Sequence, residues 1–253
     1  MQKLRLFFKK YWITILIYVG LFALYAYLTA SGRADPYLFP KVKAIGRAFW
    51  KNRSMMLLNM VSSFRLVIPS IVISVAISLT LGTVLGLHAK VRDVLYPVIY
   101  AFSVIPSILL SPFALLLAPS FTSASIFLIV YGSFWSTLFA TITSIMTIDR
   151  RYLDKAAALE LSPAARLFRV ILPAASPGIL GGFVNSLRST FVMLVYAEMY
   201  GSHYGMGFFV KKFSEMGLYD NTWAGFLFMV VVLVIVMQFF EHLKKYLLKW
   251  TIN

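Results

Sequence analysis

The chain has 253 residues, of which 60% are hydrophobic, 16% aromatic and only 13% charged, about half the charge of a soluble domain, which carries roughly 25%. Its net charge of +15 is what a membrane protein acquires when basic residues gather in cytoplasmic loops, so no nucleic-acid partner is needed to explain it. With no cysteine, disulfide frameworks, iron–sulfur clusters, thiol catalysis and cysteine-ligated zinc are excluded.

Taken in chain order, the first apolar run is Tyr11–Ala30, preceded by Lys3, Arg5, Lys9 and Lys10. Its roughly 20 apolar residues exceed the 7–15 of a cleaved signal, so it reads as a retained anchor. In Pro40–Lys51, Val42, Ile45 and Phe49 recur at helical spacing away from Lys41, Arg47 and Lys51. That pattern predicts a short helix lying on the membrane surface, or else a solvated basic loop. Leu66–Leu87, Val94–Ala118, Phe121–Ile148 and Asn221–Phe240 contain no Asp, Glu, Lys or Arg, and Val170–Ala197 contains only Arg188. Each reaches the roughly 20 residues a helix needs to cross the hydrocarbon core, and barrel strands would be shorter and alternating. Ala118-Pro119-Ser120 is the turn between the third span and the fourth.

The expected fold is therefore an all-α membrane protein with six transmembrane helices. Residues 1–58 form an anchor with an outer amphipathic segment, and residues 59–253 form a five-helix core. Six spans put both termini on one side. With the termini inside, fourteen basic residues fall in inner segments and eight in outer ones, so the positive-inside rule favours cytoplasmic termini.

Asp149–Pro173 separates the fourth and fifth spans. Leu153, Ala156, Ala157 and Glu160 have helical spacing, and Ser162-Pro163 supplies an N-cap and first-turn proline for a second short helix. Two short helices meeting at a bend make a knob that suits docking to a partner. On physics alone, a basic linker touching anionic headgroups fits equally well.

This segment resembles the coupling motif of ABC-importer permeases, Glu-Ala-Ala-x3-Gly-x9-Ile-x-Leu-Pro. Aligned on its end, it places Asp154, Lys155 and Ala156 at the opening triplet, Glu160 at the glycine, and Val170, Leu172 and Pro173 at the close. Other stretches are similar to the nitrate/sulfonate/taurine-type branch: Tyr37-Leu38-Phe39-Pro40, Ser62-Ser63-Phe64-Arg65, Val104-Ile105-Pro106 with Ser111-Pro112, and Ala197-Glu198-Met199-Tyr200-Gly201 followed by Gly205-Met206-Gly207-Phe208. The likeness extends from Tyr37 to Trp250.

The resemblance implies a type I importer bundle in a bacterial inner membrane, paired with a second permease subunit as homodimer or heterodimer. It implies a cytoplasmic ABC ATPase dimer, which would bind ATP and Mg, and an extracytoplasmic solute-binding protein. It places ATPase coupling on Asp154, Lys155, Ala156, Glu160, Ser162, Pro163, Leu172 and Pro173. No Gly-x4-Gly-Lys-[Ser/Thr] stretch occurs, in keeping with ATP hydrolysis on another chain. Glu160 at the glycine position would cost on the order of 1 kcal/mol if held at positive φ, and Ser162-Pro163 is expected to supply the turn instead.

Within the spans, Arg188 costs at least roughly 2.5 kcal/mol on insertion scales, so it should face the protein interior or a wet path. It is assigned to the translocation path, with bonding to neighbouring carbonyls as the alternative. Val184, where the family's arginine falls, lies one turn earlier on the same face. Glu198, near the outer end of the helix, either shapes a gate or is structural. Gly82-x3-Gly86 and Gly178-x3-Gly182 read as close helix packing, and Pro106, Pro112, Pro173 and Pro177 as kinks or helix starts.

A secondary transporter or channel would show repeated intramembrane acids or broken helices in matching halves. An enzyme or metal site needs convergent acids, histidines or nucleophiles, whereas His88, His203 and His242 and the nine acids are scattered. A non-catalytic permease without a cofactor of its own is the expectation. Its small polar solute is not readable, though Arg188 suits an anion.

Overall fold

The computed structural model describes residues 2–251, with side chains from Tyr11 onward; the Lys3, Arg5, Lys9 and Lys10 cluster lies outside the described side chains. The order of helices is α1 (Gln2–Ala30), α2 (Val42–Leu87), α3 (Ala89–Ser103), α4 (Ser111–Leu117), α5 (Phe121–Met146), α6 (Arg150–Ala158), α7 (Pro163–Arg166), α8 (Leu172–Gly201), α9 (Met206–Glu215) and α10 (Tyr219–Leu247). Among the described residues there is no strand.

Five helical stretches are long and apolar enough to cross a membrane: Tyr11–Ala30, Val42–Leu87, Phe121–Met146, Pro163–Gly201 and Tyr219–Leu247. The sixth expected span, Val94–Ala118, is not a straight helix. Its place is taken by α3 and the stretch Ser107–Leu117, bent by 81°. Pro106 is the cause. It cannot donate an N–H, it keeps Ile105 out of the helical region, and it sits extended at φ −62°, ψ 126°. At the break the Phe102 carbonyl accepts the Ile105 N–H at 3.1 Å and the Tyr131 hydroxyl at 2.5 Å. A 3₁₀ turn, Ser107–Leu110, follows, and the Ser107 hydroxyl reaches the Met193 sulfur at 2.9 Å.

The chain divides into two compact units. One comprises Leu58–Phe208 with Met229–Asn253. Its centre is α5, which follows the Ala118-Pro119-Ser120 turn and is started by a reciprocal Ser120/Ser123 capping box. Both glycine pairs pack on α5. A Cβ at Gly82 would stand 2.6 Å from Thr141, and one at Gly182 would stand 2.2 Å from Ala140 and 2.9 Å from the Ser136 carbonyl. Small residues thus let backbones approach where hydrocarbon gives helices no hydrophobic drive to associate. Polar glue follows: Ser78 donates to the Phe134 carbonyl at 2.9 Å, and Thr137 to the Ser186 hydroxyl at 3.2 Å. Leu128, Ile129, Leu187, Phe191 and Leu194 form the apolar centre.

The other unit comprises Met1–Leu57 with Phe209–Phe228. The separate surface helix expected at Pro40–Lys51 is instead the first part of α2, which runs unbroken for 46 residues. Its apolar side does not face lipid: Ile45 and Ala48 are buried against Ala224, Tyr25, Phe49 and Trp223. Protein packing replaces the predicted lipid contact because the aromatic side chains supply the same apolar cover. The connection before it is pinned by its carbonyls, Leu38 accepting from the Trp223 indole at 2.9 Å and Pro40 from the Tyr25 hydroxyl at 2.8 Å.

Candidate functional site

The segment between α5 and α8 carries the densest set of sequence-predicted residues. Asp149 caps α6, accepting the Arg151 N–H at 2.9 Å and its guanidinium at 2.6 Å. That bonding holds the Asp149 carboxyl below the ordinary carboxylate range. Alanines make α6 a good helix, and its pattern is two-sided. Ala156 is buried, and Leu153 packs on the cluster of Ile145, Ile171, Ala175 and Ile179. Asp154, Lys155, Tyr152 and Leu159 are exposed.

The end of α6 departs from expectation. The Glu160 N–H bonds the Ala157 carbonyl at 2.9 Å and the Leu161 N–H bonds the Ala156 carbonyl at 3.2 Å, which is the pair of a Schellman motif. That motif needs a left-handed residue at Glu160, and Glu160 has φ 49°, the one positive-φ non-glycine among the described residues. The relief expected from Ser162-Pro163 does not occur. Ser162 accepts the Ala165 N–H at 3.3 Å and opens α7, but a residue that caps the next helix cannot close the carbonyls of the previous one.

The expected second short helix is also not separate. From Pro163 it passes through a π turn, Leu167–Ile171, into α8. Pro173 explains the turn: it offers no N–H to the Arg169 carbonyl, and its ring crowds that carbonyl. Pro177 would orphan the Pro173 carbonyl in the same way, and the Ser176 hydroxyl takes it at 2.8 Å. Leu172 and Pro173 are half-buried at the start of α8.

Midway along α8, Arg188 is exposed beside exposed Asn185 and Ser189, and its Nη1 lies 3.4 Å from the Asn185 Oδ1. Val184 does not share this open face; it is buried. Four residues overshoot a full turn by about 40°, enough to carry Val184 into the packed side.

Glu198, on the last turns of α8, is 1% exposed. Its Oε2 accepts the Gly207 N–H at 2.8 Å. The Met206 N–H donates to the Ser63 hydroxyl at 3.0 Å and the Gly205 N–H to Asn59 Oδ1 at 2.9 Å. Three consecutive N–H groups at the start of α9 are thus held by side chains of α2 and α8. These are donors a helix leaves unpaired at its first turn, where a carboxylate also meets the positive end of the dipole. Gly205 has φ 112°, and a Cβ there would stand 2.3 Å from the Glu198 Cδ. Glu198 Oε1 is buried without a partner among the described residues, and Glu198 helps line an apolar cavity of about 30 Å³ with Met60, Phe64, Leu194 and Val232.

The structure therefore keeps the predicted residues as three separate features: the Asp149–Pro173 segment, the exposed Arg188, and buried Glu198 with its glycines. The role of Asn59, and the capture of a backbone N–H by Ser63, were not predicted. The Asn59-x3-Ser63 spacing, one face of a helix, was the available signal.

A family model described as the binding-protein-dependent transport system inner membrane component matches residues 74–252. Over 151 residues the chain is 30% identical to a protein of Brucella melitensis named probable ABC transporter permease protein, covering 60% of this chain and 61% of that one. It is 24% identical to the taurine transport system permease protein TauC of Escherichia coli, over 76% of this chain and 70% of that one. It is 23% identical to the nitrate import permease protein NrtB of Synechocystis, over 67% and 62%. The matched region thus spans about three fifths of the Brucella relative's length. In fold, the chain is similar to a chain of the MetNI methionine ABC transporter in an inward facing conformation, with a TM-score of 0.63 at 16% identity, over 77% of this chain and 97% of that one. A family match over more than half its length makes this chain a member of the binding-protein-dependent transport system inner membrane components.

Proposed function

We propose that the chain is the non-catalytic permease subunit of an ATP-driven importer, passing a small polar solute across a bacterial inner membrane with both termini cytoplasmic. It pairs with a second permease subunit, receives solute from an extracytoplasmic binding protein, and is driven by a cytoplasmic ABC ATPase dimer that binds ATP and Mg. The observation that carries this reading is the construction of the Asp149–Pro173 segment. One face of α6 is packed on the bundle through Leu153 and Ala156, and the other, with Tyr152, Asp154, Lys155 and Leu159, is exposed.

A partner moving α6 would move more than a loop. The cluster under α6 contains Ile171, Ala175 and Ile179, and α7 continues through the π turn into α8. A displacement at Glu160, Ser162 or Pro163 therefore reaches Leu172 and Pro173 and is carried along the helix holding Arg188. A two-state bundle biased in this way is what alternating access requires. On this reading Arg188 and Asn185 face the path. Val184 and Glu198 act as packing and anchorage.

The test is purification from native membrane in mild detergent, with mass spectrometry and an ATPase assay on the eluate. An ATPase chain should co-purify and be lost on deleting Leu153–Arg169. A chain that comes out alone and transports in liposomes without ATP would overturn the reading.

A further inference from the structure

A cavity of about 880 Å³ lies within the unit centred on α5. Its lining comes from Leu87 and Met146, the last residues of α2 and α5, from the start of α3, and from the stretch that runs from Pro163 through the π turn to Ile171. Spans therefore end or begin at its walls, which places it at the depth of the lipid headgroups. Its ionisable side chains are all basic: Arg92, Arg166 and His88 line it, and no aspartate or glutamate does. Arg92 is tethered more than neutralised. Its Nη1 donates to the Leu85 carbonyl at 3.3 Å, and its Nε stands 3.8 Å from Asp93, whose side chain is 73% exposed. Arg166 is exposed, and its side chain makes no hydrogen bond or ion pair among the described residues. His88 directs Nδ1 to the Val84 carbonyl at 3.1 Å, which leaves Nε2 for another partner. Most of the remaining lining is apolar and includes Ile145, Ile148 and Phe168, the last 67% exposed.

We propose that this cavity binds one anionic phospholipid of the inner leaflet, with its phosphate drawn to Arg92 and Arg166 and the upper part of an acyl chain laid on Ile145, Ile148 and Phe168. The proposal rests on the importer reading above only in naming the leaflet. The volume lies near the upper end of ordinary ligand pockets, roughly 300–1,000 Å³, and exceeds what a bare phosphate needs. A soluble anion would leave the apolar lining in water, and an uncharged lipid would leave the guanidinium groups without an anion. An anionic lipid answers both parts of the lining. Arginine suits the role because its planar fork of donors matches phosphate oxygens, and basic pockets between spans on the cytoplasmic side are where anionic headgroups collect. Bound there, the lipid links α7 and the π turn to the end of α2 and the start of α3, so its occupancy is legible in the stability of the chain.

The experiment takes the whole chain, purified from native membrane in mild detergent, and follows retained lipid by native mass spectrometry and thermal unfolding against added lipid. Phosphatidylglycerol should stay bound as a single molecule per chain and raise the unfolding temperature saturably. Phosphatidylcholine with the same acyl chains, and glycerol phosphate without them, should do neither. Arg166→Gln and Arg92→Gln should each weaken phosphatidylglycerol binding about fivefold, and the first, at an exposed side chain, should leave the lipid-free unfolding temperature unchanged. Ala164→Phe narrows the cavity without altering charge and should weaken binding as well. Lys245→Gln, at an exposed cation outside the cavity, should not. Equal binding of phosphatidylcholine, or an equal loss in Lys245→Gln, would overturn the site in favour of general apolar or surface attraction. A full effect from glycerol phosphate would overturn the lipid and leave a site for soluble phosphates. Lipid binding is read on the chain itself, so failure of an ATPase to co-purify would overturn the importer reading without altering this result.

Discussion

Two glutamates, one before α8 and one on its last turns, meet opposite fates. Glu198 is enclosed: one oxygen takes the Gly207 N–H, and Gly205 has no side chain that could crowd it. Glu160 is open: its side chain is exposed and without a hydrogen bond or ion pair among the described residues, and its own backbone is the strained part. In the first case the backbone accommodates the carboxylate, with a glycine at φ 112° where a Cβ would crowd it and the Gly207 N–H donating to it. In the second the carboxylate sits on a backbone shape that would suit glycine better. Within the described residues the chain satisfies one oxygen of Glu198 and leaves the other buried without a partner, a cost that burial imposes; Glu160 stands in water and bears no such cost, its strain lying in the backbone turn that closes α6.

The largest effect should come from closing the space around Glu198. Gly205→Ala puts a Cβ 2.3 Å from the Glu198 Cδ and forces an L-residue to φ 112°. Strain and overpacking together should cost about 3 kcal/mol or more, read as a loss of folded protein or a large fall in unfolding temperature in detergent. Retention of wild-type stability would mean that the start of α9 is not held by this clamp. Ser63→Ala should be milder, since it removes one acceptor and leaves the Met206 N–H without a partner, a cost of about 1–3 kcal/mol. Hydrogen exchange localised to the first turn of α9 would separate it from general loosening.

The two glutamates also differ in how far the sequence revealed them. The spans around α5 were legible because apolar run length and charge-free windows respond directly to the hydrocarbon, and the glycine pairs read correctly as packing because only small residues permit such approach. The coupling-like segment was legible in its helix former pattern and its caps. What failed were continuities. Val42–Leu87 was divided because Arg47, Lys51, Arg53 and Arg65 interrupt the apolar run, although charges on an exposed face do not stop a helix. Val94–Ala118 was joined because composition cannot register a bend of 81°. Val184 was placed with Arg188 because periodicity gives a face only to within tens of degrees. The clamp on α9 joins Asn59 and Ser63 to Gly205 and Met206, residues more than a hundred positions apart, and local pattern holds no information on such pairings. Glu160 was the reverse: its position was flagged from the sequence, but the neighbouring Ser162-Pro163 hid that each helix end needs its own closure.

The smallest expected effect tests whether the start of α6 is as self-contained as its end is open. Asp149 is paired with Arg151, and this bonding lowers its carboxyl pKa. A group whose folded-state pKa is depressed contributes stability above its unfolded value and loses it as pH falls through the folded one. The contribution of Asp149 is therefore complete near neutral pH and fades below the ordinary aspartate range. Asp149→Asn can still cap the helix, so it should lower the unfolding temperature only slightly at pH 7 and not at all once the wild-type carboxyl is protonated. Because both partners are at the surface, salt should shrink the difference further. If Asp149→Asn instead abolished ATPase recovery, the Asp149–Arg151 pair would belong to the docking surface, and the reading of the start of α6 as self-contained would have to be abandoned.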